Sequence, residues 1–305
     1  MHDRDTLHRF LFDRFPIRGH LVHLDAAWRA LVEHRQYPDA IRETLGEAVV
    51  ASLLLAATIK FEGVLSLQLQ GDGPMHLLLA QCTSGLSVRG LARYREGAGA
   101  AHKINELIGN GNLTVTLETD EGAQRYQGIV PIEGERLADS LQAYFQNSEQ
   151  LPTRLWLHAD VQGASGMLLQ KLPGSGSLPA ADAALIEDAW RRVQLIADTL
   201  TPVELRTLAD AEILHRLFNE DDLRLFEPSP VYFRCRCSRD RVAGMLQGLG
   251  EVETRSVIAE RGKVEVHCDF CNRAYVFDAV DVEQLFKAPV AAAPDSGSSA
   301  PTRVH

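Results

Sequence analysis

The chain carries two close-set cysteine pairs, Cys235-Arg236-Cys237 and Cys268-Asp269-Phe270-Cys271, with thirty residues between them. Four of the five cysteines in the 305 residues lie in these pairs. Pairs of this kind each supply two corners of a tetrahedral metal site when the intervening chain folds back. The pattern therefore predicts a site of four thiolates that ties two distant stretches of chain together.

A ligand set made only of thiolates favours zinc, which takes four tetrahedral ligands at ~2.3 Å from sulfur, and iron is the main competitor. The predicted cofactor is Zn2+, and its predicted ligands are Cys235, Cys237, Cys268 and Cys271. Two disulfides without a metal are the alternative, which a reducing compartment disfavours. His267 is interpreted as a strand residue rather than a ligand, because four thiolates complete the site.

The rest of the sequence indicates a cytoplasmic protein without a membrane segment. Residues 1–15 carry charges and lack the apolar block and cleavage site of a secretory signal. The longest apolar run, residues 48–59, is shorter than the ~20 residues that cross a bilayer. The fifth cysteine, Cys82, lies in an apolar run and is expected to be a small buried hydrophobic residue.

The formal net charge of -10 argues against a nucleic-acid partner, because affinity for phosphates depends on clustered Lys and Arg. A zinc-ribbon protein that binds nucleic acid stays an alternative, since five arginines flank the cysteines. Their positive charge would also offset the net charge of about -2 of four thiolates and a dication, and would favour the reactive thiolate form. These residues are Arg234, Arg236, Arg239, Arg241 and Arg273.

Residues 1–175 are predicted to form an α+β domain with packed helices and a mostly antiparallel sheet. Its strands are short runs bounded by Gly and Pro, some with a period of two. Pro38 begins a long helix with apolar residues at helical spacing, which is expected to lie in the core. The predicted strands are 7–13, 17–24, 64–70, 75–82, 86–94, 113–119, 124–130, 155–161 and 166–172.

Residues 176–230 form an acidic helical linker in this interpretation. A Gly-, Pro- and Ser-rich break at 173–179 precedes it, and a capping box at Thr201–Glu204 starts one of its helices. Between residues 180 and 230 there are 11 acidic residues and 5 arginines, a net of -6. Two readings remain open: helices packed permanently on the first domain, or a conditional element whose apolar stripe can become exposed.

Residues 231–287 are predicted to form a small zinc-binding redox-switch domain, and residues 288–305 a disordered tail. In a domain this small, a hydrophobic core seldom supplies more than ~3 to 5 kcal/mol, whereas structural zinc supplies ~10 to 16 kcal/mol of apparent binding free energy. Loss of the metal should therefore unfold the domain. The expected disulfides join sequence neighbours, and such local bonds cannot replace a restraint across thirty residues.

The run Phe233-Arg-Cys-Arg-Cys-Ser-Arg-Asp-Arg-Val, with Cys268-Asp-Phe-Cys-Asn-Arg-Ala-Tyr-Val-Phe, resembles the redox-regulated 33 kDa heat-shock chaperone family of bacteria. The similarity extends to Leu7-His-Arg-Phe-Leu-Phe, Leu67-Gln-Leu-Gln-Gly-Asp-Gly-Pro-Met and Val88-Arg-Gly, so it covers nearly the whole chain. The resemblance implies an ATP-independent holdase that is inactive when reduced and zinc-bound. Oxidation would form the two local disulfides, release zinc and unfold the zinc domain and linker.

The resemblance also implies partners: unfolded client proteins, a second copy of the chain on oxidative activation, and ATP-dependent foldases that receive the clients. No motif marks the client-binding surface, and the apolar stripe of the linker is the best candidate. Its residues are Leu185, Ile186, Trp190, Val193 and Ile196. The protein is not expected to be an enzyme; a thiol oxidoreductase using Cys268 and Cys271 is a further alternative, which would need a βαβ context.

Overall fold

The computed structural model describes residues 5–119, 125–173 and 180–287, and its central elements are two six-stranded sheets and a buried helix. The strands are β1 (Thr6–Phe12), β2 (Ile17–Leu24), β3 (Gly63–Gly71), β4 (Met75–Thr83), β5 (Ser87–Tyr94), β6 (Gly111–Thr119), β7 (Arg125–Pro131), β8 (Thr153–Ala159), β9 (Ala164–Lys171), β10 (Leu223–Leu225), β11 (Ser229–Pro230), β12 (Tyr232–Phe233), β13 (Val264–His267) and β14 (Ala274–Phe277). The α-helices are α1 (Ala26–Val32), α2 (Asp39–Thr58), α3 (Ile104–Ile108), α4 (Leu137–Tyr144), α5 (Ala180–Ala197), α6 (Pro202–Thr207), α7 (Asp210–Phe218), α8 (Arg239–Leu249), α9 (Glu251–Arg261) and α10 (Ala279–Lys287).

The α+β prediction is confirmed, with the strands divided between two larger sheets. Sheet A has the order β10-β1-β2-β9-β8, and β11 also pairs with β1. Sheet B has the order β12-β5-β4-β3-β6-β7. Neighbouring strands are antiparallel throughout both sheets, except that β12 pairs with β5 in parallel.

Helix α2 lies in the main hydrophobic core, as its apolar sequence predicts. All of its residues from Ala48 to Ala56 are buried, because it packs against strands of both sheets. A helix that is apolar around its circumference needs such cover on every side. Gly46 allows the closest approach: a Cβ there would lie 2.4 Å from the Cβ of Ala159 and 3.1 Å from the indole of Trp28.

The other face of sheet A is covered by α5, α6 and α7, which belong to the predicted acidic linker. Phe10, Phe12 and Leu21 of the sheet form a second core with Trp190 and Val193 of α5. Strand β2 is buried on both faces because α2 lies on one side and these helices on the other. In this folded state the apolar stripe of the linker is thus largely packed against the sheet.

The sequence signal for the start of α6 led to the observed structure. The capping box forms as expected: the N–H of Glu204 donates to Thr201 Oγ1 at 3.2 Å, and the N–H of Thr201 donates to Glu204 Oε2 at 2.9 Å. The predicted strands of the first domain agree with β1 to β9 within a few residues. The first residue of the predicted strand 124–130, most of the break at 173–179 and the tail at 288–305 lie outside the described residues.

The described chain divides into two compact units. Unit 1 runs up to Cys235 and includes Asp269–Cys271; unit 2 comprises Arg236–Cys268 and the chain from Asn272. The predicted boundaries at residues 175 and 230 stay a prediction. Among the described residues, no helix is both long enough and apolar enough to cross a membrane.

Unit 2 has a small core between α8, α9, α10 and the hairpin of β13 and β14. Its buried members are Val242, Leu246, Val264, Tyr275, Phe277 and Val282. Met245, Leu249 and Val276 of the same elements are exposed. Phe233 packs against the core around α2. The hydrophobic core of unit 2 is therefore small.

Candidate metal centre

The fold brings the four paired cysteines together. One Sγ atom from each of Cys235, Cys237, Cys268 and Cys271 lies within 4.8 Å of the other three. Cys271 is buried and the other three are half-buried. The thirty residues between the pairs form α8, α9 and β13, which return the chain to the first pair.

The second pair lies in the loop of a β-hairpin. His267 at the end of β13 pairs with Ala274 at the start of β14, so the two strands fix both ends of the loop. Within it, the N–H of Cys268 donates to the carbonyl of Arg273 at 3.0 Å, and the N–H of Asn272 donates to the carbonyl of Cys268 at 2.8 Å. Asn272 has a φ of 55°, a left-handed conformation that asparagine tolerates better than most residues.

The first pair is held by the start of α8. Ser238, directly after Cys237, caps this helix by accepting a hydrogen bond from the N–H of Arg241 at 3.2 Å. The guanidinium of Arg241 in turn donates to the carbonyl of Arg236 at 2.7 Å, which fixes the backbone between the two cysteines. The positive end of the helix dipole lies beside Cys237.

Tyr275 is a neighbour of the cysteines that the sequence analysis did not assign to the site. Its hydroxyl donates to Cys237 Sγ at 3.1 Å. This hydrogen bond and partial burial raise the pKa of Tyr275. A hydroxyl donor to sulfur disperses the negative charge that a thiolate concentrates. One sequence signal could have pointed to this residue. Exposed and buried residues alternate along β14, and Tyr275 lies on the buried face.

The donor set fits a tetrahedral metal ion. A tetrahedron with ~2.3 Å metal–sulfur bonds has sulfur–sulfur edges of about 3.8 Å. This length is compatible with four sulfur atoms that all lie within 4.8 Å of one another. Four sulfur donors select zinc or iron over the hard cations that prefer oxygen. The structure therefore supports a metal site made of four sulfur ligands.

Two of the flanking arginines have structural roles in unit 2. Arg239 donates to the carbonyl of Val276 at 2.7 Å, pairs with Asp281 at 2.7 Å and stacks on Phe277. Arg241 supports the cysteine loop as described above. These contacts give both arginines partners within unit 2.

His267 and Cys82 lie outside the thiolate cluster, as predicted. His267 is an exposed residue at the end of β13, with its Nε2 3.4 Å from Glu265 Oε1. Cys82 is fully buried in β4, and burial raises the pKa of its thiol to about 12. At neutral pH Cys82 is thus a protonated, inaccessible thiol.

The predicted client-binding residues occupy different environments along α5. Leu185 is exposed and Ile186 is half-buried. Trp190 and Val193 are buried against sheet A, and Ile196 is packed at the margin of the same core. Any role of the last three residues in binding therefore requires α5 to leave the sheet.

A buried cluster of one aspartate and two histidines, which the sequence did not reveal, joins the linker to sheet A. Asp210 of α7 pairs with His8 of β1 and with His23 of β2, whose Nδ1 lies 2.8 Å from Asp210 Oδ1. His23 Nε2 lies 2.7 Å from the carbonyl of Leu205. Burial would raise the pKa of Asp210, but the bonds and charges of His23 and then His8 outweigh it and hold this pKa below its ordinary value.

Comparisons with known proteins cover almost all of the chain. The model of the family described as Hsp33 protein matches residues 5–278. A 33 kDa chaperonin of Nitrosococcus oceani is 49% identical over 294 residues, which is 95% of this chain and 98% of that protein. A 33 kDa chaperonin of Methylobacillus flagellatus is 45% identical over 287 residues, covering 94% and 96% of the two chains.

The fold also matches a solved structure. The crystal structure of a 33 kDa chaperonin (Heat shock protein 33 homolog) from Thermotoga maritima superimposes with a TM-score of 0.76. The match covers 93% of this chain and 98% of the other, at 22% sequence identity. This likeness supports the fold, whereas the two sequence relatives support the family.

Proposed function

Because the chain belongs to the Hsp33 family, we propose that it is a redox-regulated, ATP-independent holdase chaperone that binds unfolding proteins under oxidative stress and prevents their aggregation. The reduced, zinc-bound form is inactive in this proposal. Disulfide formation at the four cysteines activates it by opening the metal centre. The observation that carries the proposal is the cluster of four thiolates joining two segments thirty residues apart.

The metal would supply most of the stability of the redox-switch domain, residues 231–287. Unit 2 buries only six hydrophobic residues among those described, so its core is poor for its length. Structural zinc contributes ~10 to 16 kcal/mol of apparent binding free energy in comparable peptides, more than such a core provides. Cys235, Cys237, Cys268 and Cys271 would hold the ion, which neutralises two of their four charges.

Oxidation would remove these ligands two at a time. Each pair of thiolates gives two electrons to a peroxide, which takes up two protons and becomes two water molecules, while a sulfur–sulfur bond forms. The expected bonds are Cys235 with Cys237 and Cys268 with Cys271, since each pair is close in sequence. They close very small loops and so restrain the unfolded chain little. The domain would then lose its cross-link without gaining an equivalent one.

Three short strands would connect the loss of the metal cross-link to the linker, residues 176–230. Strands β10 and β11 pair with β1, and β12 pairs with β5, so they line the path from α7 to Cys235. Each contributes only two or three residues to its pairing. Strand additions this short depend on the stability of the chain at both ends. Opening at Cys235 would thus favour release of α5–α7 from sheet A.

Release of these helices would expose an apolar surface suited to unfolded chains. One side is the stripe of α5 with Leu185, Ile186, Trp190, Val193 and Ile196. The other is the face of sheet A that the helices cover now, including Phe10, Phe12 and Leu21. Contiguous exposed apolar surface binds other apolar chains without requiring ATP. The same surface gives a route to dimers of the active form.

The proposed setting is the cytoplasm, where reducing conditions keep the thiolates bound to metal until oxidants arrive. Bound clients would pass to ATP-dependent foldases. The protein is not proposed to be an enzyme: the Cys268–Cys271 pair lies in the loop of a two-stranded antiparallel hairpin, not in the βαβ unit that a thiol oxidoreductase uses. The charge of -10 disfavours nucleic acid as a partner.

An aggregation assay with a thermally unfolding client tests the function. Reduced, zinc-loaded protein should leave aggregation unchanged. Peroxide at mild heat should turn suppression on, with zinc release followed in the same sample by a chromogenic chelator. Equal suppression by both forms would rule out the redox switch, and no suppression by either would rule out the holdase.

A further inference from the structure

Strand β5 has its edge covered by the segment that leads into the first cysteine pair. Strand β12 pairs with it in parallel. The N–H of Tyr232 donates to the carbonyl of Leu86 at 3.2 Å, and the N–H of Arg234 donates to the carbonyl of Val88 at 3.0 Å. Arg234 directly precedes Cys235, so the main chain of the metal site continues into the edge of sheet B.

The outer face of β5 is covered by the second cysteine pair. Val88 and Ala92 point into the core around α2, so the alternating residues Arg89, Leu91 and Arg93 point to the other face. There, Arg93 Nη2 lies 3.1 Å from Asp269 Oδ2, and the guanidinium carbon of Arg89 lies 4.1 Å from the ring centroid of Phe270. Asp269–Cys271 accordingly belong to unit 1.

This face is ordered by its own contacts as well. Arg89 Nε donates to Gln81 Oε1 at 2.7 Å, and Gln81 Nε2 donates to Ser66 Oγ at 2.7 Å. Leu91 stands opposite Leu79 of β4, which makes an apolar strip between the two arginines. Arg89, held in this way, loses little conformational entropy when it binds a ligand.

We propose that β5 is a docking strand for client proteins, and that residues 232–234 and Asp269–Phe270 occupy it while the metal centre is closed. The occupant after opening is an extended segment of an unfolding protein that carries a carboxylate beside an aromatic residue. Its main chain adds to the edge of β5, its aromatic ring stacks on Arg89, and its carboxylate pairs with Arg93. This inference rests on the proposed function for the opening of the centre.

The chemistry of residues 232–234 and Asp269–Phe270 indicates what kind of client segment can bind in their place. Strand addition to an exposed edge gives affinity through main-chain hydrogen bonds, which any unfolded sequence can supply. Arg89 and Arg93 add a preference, because cation–π stacking and ion pairing select an aromatic and an acidic side chain. The first cysteine pair follows residues 232–234, and the second pair encloses Asp269–Phe270. Oxidation of the cysteines would therefore uncover both the edge and the outer face of β5.

A labelled peptide tests the proposal with the full-length protein. The probe is a fluorescein-labelled peptide with the sequence of residues 264–274 carrying C268S and C271S. We expect its fluorescence anisotropy to report binding to the peroxide-treated protein that is at least tenfold tighter than to the reduced, zinc-loaded protein. Arg89→Ala and Arg93→Ala should each weaken binding to the oxidised form at least fivefold.

Two controls separate recognition from damage. Arg136→Ala removes an exposed arginine at the start of α4, beside the opposite edge of sheet B, and should leave peptide binding unchanged. Arg93→Glu should bind poorly to the first peptide and regain binding to a peptide that also carries D269R. This charge exchange shows that a loss of binding comes from the contact and not from misfolding.

The results also distinguish this inference from the proposed function. If both arginine variants bind the peptide like the wild type while oxidised wild type suppresses aggregation, the docking strand is wrong and the holdase stands. If oxidised wild type neither binds the peptide nor suppresses aggregation, the proposed function fails together with the inference. A loss of binding restored by the charge exchange supports the docking strand.

Discussion

At the scale of single residues, burial separates two kinds of cysteine in this chain. Cys82 has its pKa raised to about 12 by burial in β4, so it remains a thiol at any pH at which the protein works. The clustered cysteines are half-buried, apart from the buried Cys271, and lie near arginines and the start of α8. Because oxidants need access to sulfur, the proposed oxidation concerns the cluster and not Cys82.

A buried histidine gives a residue-scale prediction of acid sensitivity. His20 in β2 is 1% exposed, and neither ring nitrogen has a hydrogen-bond partner among the described residues. Burial, with the charges of Arg18 and Arg9, lowers the pKa of His20 to about 3. The unfolded chain, with a pKa near 6.5, therefore takes up a proton that the folded chain excludes, and stability falls as the pH drops from about 6.5 towards 3.

Substitution of His20 by leucine should remove this part of the acid sensitivity. The linkage predicts that wild type loses about 2 kcal/mol of unfolding free energy between pH 7 and pH 5 through His20 alone. His20→Leu should lose about that much less over the same interval, as measured by urea unfolding at both pH values. Equal losses for the two proteins would mean that His20 takes up its proton in the folded state.

At the scale of elements, α5 has two faces that differ sharply. Val193 is 0% exposed against sheet A, whereas Leu195, two residues away, is 65% exposed. Val193→Asp places a carboxylate in the apolar interface and should cost about 3 kcal/mol or more of docking free energy. We expect this variant to suppress client aggregation while reduced and zinc-loaded.

Leu195→Asp is the matched control for that prediction. It makes the same chemical change on the same helix, but on the solvent face. Its aggregation suppression should therefore stay redox-dependent like that of wild type. Similar constitutive activity of both variants would indicate a general loss of α5 helicity instead of undocking, and far-ultraviolet circular dichroism would detect it.

Elements specified by neighbouring residues could be predicted from the sequence. The capping box of Thr201 and Glu204 and the four-cysteine spacing are local patterns, and both led to the observed arrangement. Strands β10, β11 and β12 were missed because each has only two or three residues. Their conformation depends on pairing with β1 and β5, which are distant in sequence, so no local pattern marks them.

Contacts between elements that are distant in the sequence could not be predicted either. The pairing of Asp210 with His8 and His23 joins three elements, and nothing in the sequence near Asp210 indicates its partners. The same holds for Tyr275 on Cys237 and for Arg89 on Phe270. The residue types of the metal site could be read from spacing, whereas its supporting contacts required the fold.

At the scale of the whole molecule, the proposed function depends on three connected parts. A metal held by the four cysteines would stabilise the chain around them. Strands β10–β12 pair with sheets A and B, and α5–α7 cover the apolar face of sheet A. Helix α2 lies in the main core, with every residue from Ala48 to Ala56 buried. We therefore expect the core around α2 to stay folded while the segments connected to the cysteines unfold or detach.

Hydrogen exchange followed by mass spectrometry tests this central claim most directly, by comparing reduced, zinc-loaded protein with protein treated with peroxide at mild heat. We expect peptides covering residues 180–235 and 236–287 to lose protection on oxidation, while peptides from α2 keep theirs. If aggregation suppression appears while protection across residues 180–235 remains unchanged, α5–α7 do not leave sheet A and the account is contradicted.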